Sequence, residues 1–412
     1  MEKQLSTPKL RFPEFVEKWE KKKLGDIANK VNSGKTPLGG ESVYVEEGVL
    51  FIRSQNVLDS KLSFDNSTFI TEIINDTMKN SVVKPNDILL NITGASLGRS
   101  CVVPQNFTIG NVNQHVCIVR INNQNEPRFI QPIFTSKKGQ DIFASLQTGS
   151  GREGLNFQSI RGMALYFPSL TEQTKIANFL TAVDNKLTQI KKRKNLLKQY
   201  KKGVMQKLFS RQLRFKNENG NDFAEWEEKK LGEIAKFKKG KGVSKIDISE
   251  NGKIECIRYG QLYTYYGEVI TSVISRTNIE KKNLVLSEAN DIIIPASGET
   301  QIDISTASCV MRSGIALGGD LNIIRTKNNG VFLSYYLNNK RKIEIANLAQ
   351  GVSVVHLYAS QLAQLKIDLP SIPEQTKIAN FLSSLDEKIN RCGMQIEKIE
   401  GWKKGLLQKM FV

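Results

Sequence analysis

The sequence predicts a mixed α/β protein built as an internal repeat: two lobes of short strands, each followed by a long helix, with the helices pairing antiparallel as a coiled coil. Three observations predict it. Glu172-Gln-Thr-Lys-Ile-Ala-Asn-Phe-Leu180 returns unchanged as Glu374-Gln-Thr-Lys-Ile-Ala-Asn-Phe-Leu382, and identity at that length marks a duplication. Trp19-Glu-Lys-Lys-Lys-Leu-Gly-Asp-Ile-Ala28 is echoed by Trp226-Glu-Glu-Lys-Lys-Leu-Gly-Glu-Ile-Ala235. Short apolar runs with strand character recur at matching places in both halves.

The helices carry the strongest periodicity. Ile176, Leu180, Val183, Leu187, Ile190, Leu197, Val204 and Leu208 alternate steps of four and three, with Lys194 and Lys201 in the same register. The second copy reads Ile378, Leu382, Leu385, Ile389, Cys392, Ile396, Ile399, Leu406 and Met410. Both are heptad seams. Ser169 and Ser371 each precede Glu by three residues, the spacing of a capping box, and Pro373 suits a first turn. A helix over 172–210 would reach about 58 Å, far beyond the length a lobe needs for packing. Connectivity then predicts a dumbbell. The first helix leads from lobe one to lobe two, the second begins at lobe two, and a pseudo-two-fold would send it back. Ten basic residues face two acids over 172–210, against seven and five over 374–412, so the first helix is the better candidate for meeting a polyanion.

The expected boundaries are lobe one at 1–165, a first helical region at 166–215, lobe two at 216–365 and a second helical region at 366–412. Candidate strands are Phe51–Arg53, Asp87–Ile92 and His115–Arg120, with Cys256–Arg258, Asp291–Ile294 and Leu321–Arg325 as counterparts. Between them the lobes diverge, as one binding mode furnished for two targets would.

A net charge of +18 over 412 residues favours a polyanionic partner. Five scattered cysteines without a CxxC pair argue against a disulfide scaffold or structural zinc. No apolar run is long enough to cross a bilayer and the first twenty residues lack a signal-peptide core, so a cytoplasmic location without membrane contact is expected. Ser33-Gly-Lys-Thr36 imitates the end of a P-loop, but Asn29 stands where the first glycine belongs and Pro37 follows. His115 and His356 fall in different lobes, giving little basis for histidine catalysis, and Asp87 and Asp291 read as structural turn residues.

Polar turns at equivalent places are the candidate DNA contacts. They supply Lys35, Arg53, Gln55, Asn56, Thr93, Arg99 and Arg152 in the first lobe, and Lys239, Lys241, Arg258, Tyr259, Gln261 and Tyr263 in the second. Arg and Lys can pair with guanine edges and Asn and Gln with adenine, while glycine amides and hydroxyls suit phosphate. Tyrosines can stack or meet thymine methyls.

The segment Leu165-Tyr-Phe-Pro-Ser-Leu-Thr-Glu-Gln-Thr-Lys-Ile-Ala177, a long helix ending Lys201-Lys-Gly-Val-Met-Gln-Lys-Leu-Phe209, and the same order again with Leu369-Pro-Ser-Ile-Pro-Glu-Gln375 and Lys403-Lys-Gly-Leu-Leu-Gln-Lys-Met-Phe411 resemble the specificity subunits of bacterial Type I restriction-modification systems. The resemblance spans essentially the whole chain. It implies a noncatalytic subunit whose two target recognition domains read a bipartite site on double-stranded DNA. The helices would set the spacing and dock two modification subunits, with Ile176, Leu180, Val183, Leu187, Ile190, Leu197, Ile378, Leu382, Leu385, Ile389, Ile396 and Ile399 as candidates for helix pairing or for that docking. It further implies that modification subunits bring S-adenosylmethionine for adenine-N6 methylation, that restriction subunits bring ATP and Mg2+ dependence, and that this chain holds no cofactor or metal. Replacing residues 15–165 by another lobe of this kind is expected to change one half of the recognised sequence; methylation mapping that found both halves altered would refute independent reading.

Overall fold

The computed structural model describes residues 5–147, 154–351 and 354–411. The chain forms two compact units, Met1–Lys191 with Met394–Val412, and Lys192–Gly393.

In the first unit, β1 (Ala28–Ser33), β2 (Val49–Ile52), β3 (Ile88–Asn91), β4 (Ser100–Val102), β5 (Gly110–Val112) and β6 (Val116–Ile121) form two sheets. One runs β1-β6-β3-β4, all antiparallel. The other sets β2 parallel to β5 and antiparallel to Phe69–Ile70. The second unit repeats the plan with β7 (Ala235–Lys239), β8 (Ile254–Ile257), β9 (Asp291–Pro295), β10 (Ser308–Val310), β11 (Ala316–Leu317) and β12 (Leu321–Thr326). Its main sheet runs β7-β12-β9-β10 and adds Val269–Ile270 at the edge. Strands β3 and β9 are buried throughout, and carry consecutive apolar residues Ile88–Leu90 and Ile292–Ile294, because both faces of the sheet are covered.

The expected strands Phe51–Arg53 and Cys256–Arg258 fall one or two residues earlier, leaving Arg53 and Arg258 in the turns that follow. The structural reading of the two aspartates holds. Asn86 and Asn290 sit at φ of 68° and 79°, a region asparagine tolerates. Each is followed by a buried Asp that accepts from the Lys84 or Glu288 amide at 2.7 Å. Asp87 also takes a two-pronged grip from Arg120 at 2.7 and 2.8 Å, and Asp291 one from Arg325 at 2.8 Å for both bonds. Ser33-Gly-Lys-Thr36 leaves β1 into a loop rather than a helix, as the missing glycine predicts.

The lobe helices α1 (Pro127–Thr135) and α3 (Gly330–Lys340) cover the sheets, and the long helices α2 (Leu170–Phe209) and α4 (Ile372–Met410) follow them. Both long helices run unbroken through Gly203 and Gly405. Each unit owns half of each long helix. In the first, Lys403 reaches Asp184 at 2.5 Å and Lys191 reaches Glu400 at 2.6 Å. In the second, Lys201 grips Asp386 at 2.7 and 2.8 Å. As one helix advances the other retreats, so the pair is antiparallel. Lys201 and Lys403 are repeat mates, as are Asp184 and Asp386, so one polar layer occurs twice.

The seam is buried at Ile176, Leu180, Val183, Leu187, Ile190, Ile378, Leu382, Leu385 and Ile389, and half-buried at Leu197, Ile396 and Ile399. The helix ends also enter the lobe cores. Ile176, Leu180, Leu406 and Met410 join the first, where Phe411 meets Phe129 at 5.5 Å, while Leu208, Phe209, Ile378 and Leu382 join the second.

The repeated Glu-Gln has a structural cause. Glu172, 1% exposed, accepts two hydrogen bonds of 2.7 Å from Arg11 and one of 3.2 Å from the Trp19 indole. Glu374, fully buried, accepts from Arg214 at 3.2 and 3.1 Å. Gln173 accepts from the Glu126 amide and donates to Asn125 and Pro168; Gln375 does the same with Asn329, Asn328 and Pro370. This corrects the capping-box expectation: both glutamates turn inward to arginine, Ser169 keeps one long bond of 3.4 Å, and the Ser371 hydroxyl is buried without a partner. The arginines lie in a third echo, Leu10-Arg-Phe12 and Leu213-Arg-Phe215, too short to stand out before the contacts reveal it.

Removing one partner of a buried ion pair costs about 3–5 kcal/mol, because the other charge is stranded. Glu172→Ala and Glu374→Ala are each expected to lower the unfolding temperature by several degrees. The first should cost more, since it also orphans the Trp19 N–H, whereas the Trp226 N–H has no partner to lose. Differential scanning calorimetry showing either change to be neutral would refute the anchoring role.

Candidate nucleic-acid interface

The polar turns form where the strands end. In the turn after β2, the Arg53 amide donates to the Asn56 side-chain oxygen at 3.0 Å, and the Asn56 amide group donates to the Ser63 carbonyl at 3.3 Å. In the turn after β8, the Arg258 amide donates to Gln261 at 2.9 Å and Gln261 donates to the Ser275 hydroxyl at 2.6 Å. Asn56 and Gln261 are therefore buried brackets of their own turns. Burial and the turn bonds weigh against both as base readers, since each is nearly closed off from solvent with a donor and an acceptor already used in its own turn.

The bracketed arginines are left half-buried, and the Nε of both Arg53 and Arg258 is buried without a hydrogen-bond partner. The Arg53 guanidinium lies 5.9 Å from the Tyr44 ring centroid, in cation–π range. These equivalent arginines are thus held at the same turn in both lobes with unused donor capacity.

In the first lobe the structure brings several candidates together. Gln55, Thr93 and Arg99 line a groove of about 450 Å³ with Ser54, Gly94, Ala95, Ser96 and His115. Gln55 and Arg99 are exposed, and Gly94 takes φ of 73° in the turn that carries Thr93. His115 Nδ1 lies 2.6 Å from the Thr93 hydroxyl, and its Nε2 lies 3.1 Å from the Gln114 amide nitrogen. Gln114 also hydrogen-bonds Thr36, which ties the loop carrying exposed Lys35 to the groove's edge. Nothing in the local sequence marks His115 as a contact, because only the fold brings it against Thr93. Arg152 lies outside the described residues.

The second lobe keeps the frame and changes the furniture. The Ile92 amide donates to the His115 carbonyl at 3.0 Å and the Ala296 amide to the Asp320 carbonyl at 2.8 Å, so an acid stands where the first lobe has an imidazole. Lys239, the last residue of β7, and Lys241 just beyond it are exposed. The loop beyond them meets the Arg258 turn at Gly318, where an added Cβ would lie 3.2 Å from the Ile257 carbonyl and 3.4 Å from that of Val243. Tyr259 packs against the apolar core and Tyr263 is half-buried. Tyr266 accepts from the Ile274 amide, leaving Tyr265 the most exposed ring of this group. Tyrosine in this loop is thus partly a packing residue, Tyr259 among them.

Among the described residues, no helix is long and apolar enough to cross a membrane, and no group of three His, Cys, Asp or Glu is placed to hold a metal ion. Burial drives the Cys117 and Cys309 thiols up to about 12 and Cys101 higher still, so these cysteines are unreactive core residues.

Comparison with known proteins gives the same family for both halves. The sequence model of the Type I restriction modification DNA specificity domain matches residues 16–199 and again 224–400. Two relatives from Methanocaldococcus jannaschii are each 26% identical: the putative type I restriction enzyme MjaX specificity subunit, over 97% of this chain and 94% of its own length, and the type I restriction enzyme MjaVIII specificity subunit, over 97% and 92%. Among solved structures, the S subunit of a Type I restriction-modification system from M. genitalium matches the fold with a TM-score of 0.63 at 17% identity, covering 99% of both chains. A chain from a type I restriction-modification assembly gives 0.52 at 14% identity, covering 95% and 97%. With both halves matched and the long relatives aligned end to end, the chain belongs to the Type I restriction-modification specificity family and is a specificity subunit of such a system.

Proposed function

We propose that this chain reads a bipartite, asymmetric sequence on double-stranded DNA, one half through each lobe, and delivers two modification subunits and their restriction partners to it. The observation that carries the reading is the duplicated frame, in which one sheet plan ends in different polar turns. The recognition domains are assigned to 1–165 and 216–365, and the helical regions to 166–215 and 366–412. As the noncatalytic member of the complex, the chain leaves S-adenosylmethionine, ATP and Mg2+ to its partners. A cytoplasmic site of action, where the DNA and those partners are, completes the proposal.

Arg53, Gln55, Thr93, Arg99 and His115 are the proposed readers in the first lobe, and Lys239, Lys241, Arg258 and Tyr263 their counterparts in the second. The paired helices act as the ruler. Because Lys201–Asp386 and Lys403–Asp184 fix their register, length has to be added to both at once. The seam residues are spent holding the two helices together, so the modification subunits dock on the faces that the seams leave outside.

Sequencing methylated DNA from the assembled complex tests the reading, with two modified half-sites at a fixed spacing as the expected result. Inserting seven residues at matching points of both helices lengthens each by about 10 Å, near three base-pair rises, and should lengthen the preferred spacer accordingly; an unchanged spacer would refute the ruler. Arg99→Ala should weaken DNA binding and lower the salt slope by about one charge or relax one base position. Asn56→Ala should instead cost about 1–2 kcal/mol of stability through the lost bracket. Binding titrations and calorimetry separate the two effects, and a reversed pattern would overturn the assignment.

A further inference from the structure

Two residues have no role in the reading so far. Leu38 is 96% exposed and Ile246 is 92% exposed, the highest values among the large apolar side chains of the described residues. A single exposed leucine needs no explanation. Two at corresponding places do. Leu38 lies in the loop between β1 and β2, and Ile246 in the loop between β7 and β8, the equivalent connection of the repeat.

Each loop is built to hold its tip out. In the first lobe buried Pro37 precedes Leu38, and Gly39 and Gly40 follow at φ of 110° and 60°, turning the chain back into the short 3-10 turn Gly40–Val43. The Ser42 hydroxyl closes that turn by donating to the Gly39 carbonyl at 2.7 Å. In the second lobe Val243 is buried at φ of 57°, a conformation costly for a β-branched side chain. Ser244 and Asp247 then lock the turn around Ile246, with the Ser244 amide and hydroxyl donating to the Asp247 carboxylate at 2.7 and 2.6 Å. Those bonds hold the Asp247 carboxyl below its usual range.

The surroundings of Ile246 favour a polyanion, since Lys239, Lys241 and Lys245 are exposed around it. The first loop is mixed, with exposed Lys35 three residues before Leu38 and exposed Glu41, Glu46 and Glu47 after it, and its claim rests on its place beside the reading groove. The first loop also borders the proposed reading groove, through the Thr36 bond to Gln114 beside His115. One aliphatic tip offers far less than the roughly 800 Å² per partner that a stable protein interface buries. It is, however, the size of an apolar side chain that enters a base step and kinks a duplex.

We propose that Leu38 and Ile246 are wedges that insert between base pairs of the bound DNA, one in each half-site. The inference rests on the DNA-reading assignment above. Each wedge would unstack one step, so the sequence of that step would be selected by how readily it opens, without a hydrogen bond to its bases.

The test uses the complete complex, containing the full chain, and duplexes carrying the methylation-mapped site with 2-aminopurine at each position in turn other than the methylated adenines. Wild type should raise the fluorescence at one step in each half. Leu38→Ser should abolish the rise in one half and Ile246→Ser in the other, each with about tenfold weaker binding, while Leu38→Met and Ile246→Leu retain it. Both serine variants change exposed residues, and an unchanged unfolding temperature would verify their folding. An unaltered fluorescence pattern in the serine variants would overturn the wedges while leaving DNA reading intact. So would a retained pattern with lost modification subunits, since the tips would then be protein contacts. Failure of the wild-type complex to bind the mapped duplex would instead refute the reading beneath them.

Discussion

A buried carboxylate at the start of each long helix is the constraint on which the rest depends. Glu172 and Glu374 leave water almost completely, and a carboxylate does so at large cost unless an opposite charge and further donors meet it. Arg11 and Arg214 provide that partner from the segment leading into each sheet, and the neighbouring glutamines bind lobe backbone on the other side. One turn of helix therefore joins the chain entering a lobe, the lobe itself and the helix leaving it. A hydrophobic contact would tolerate sliding; a two-pronged charge pair with a glutamine clamp beside it permits little. The same nine residues recur because the same joint has to be made twice.

The joint explains why the lobes can diverge. Once the helix start is fixed and the Asp–Arg pairs hold the sheets, the loops beyond β2, β3, β8 and β9 are free to vary at little cost to the core. His115 against Asp320 shows this, with different chemistry hung on the same backbone hydrogen bond. Arg53 and Arg258 are the exception. Both turns use a buried side-chain amide to hold the same arginine in place, and in both the Nε of that arginine is buried without a partner.

The helices show how one sequence pattern serves two ends. Their seams alternate as a coiled coil requires, yet their ends are built into the lobe cores, and each unit is completed by half of each helix. The lysines within the seam fit the same economy. Lys201 and Lys403 take positions where leucine would pack better, and each pays by meeting an aspartate of the opposing helix. Such polar layers fix register, since a slipped pairing would bury the charge alone.

By itself the sequence determined the duplication, the α/β class, the two heptad helices and the family, because repetition and periodicity are properties of residue order. It also placed polar turns at Arg53 to Asn56 and Arg258 to Gln261, since arginine and side-chain amides after an apolar strand signal a polar connection. Which of those side chains face outward was decided only in three dimensions. Asn56 and Gln261 turn inward because a tight turn leaves a backbone amide that needs an acceptor, and the residue three positions on is within reach. The Glu172 and Glu374 pairings were likewise hidden, since their arginines lie about 160 residues away in three-residue echoes. Side-chain burial and long-range ion pairing depend on what the fold brings alongside, and local spacing does not encode that.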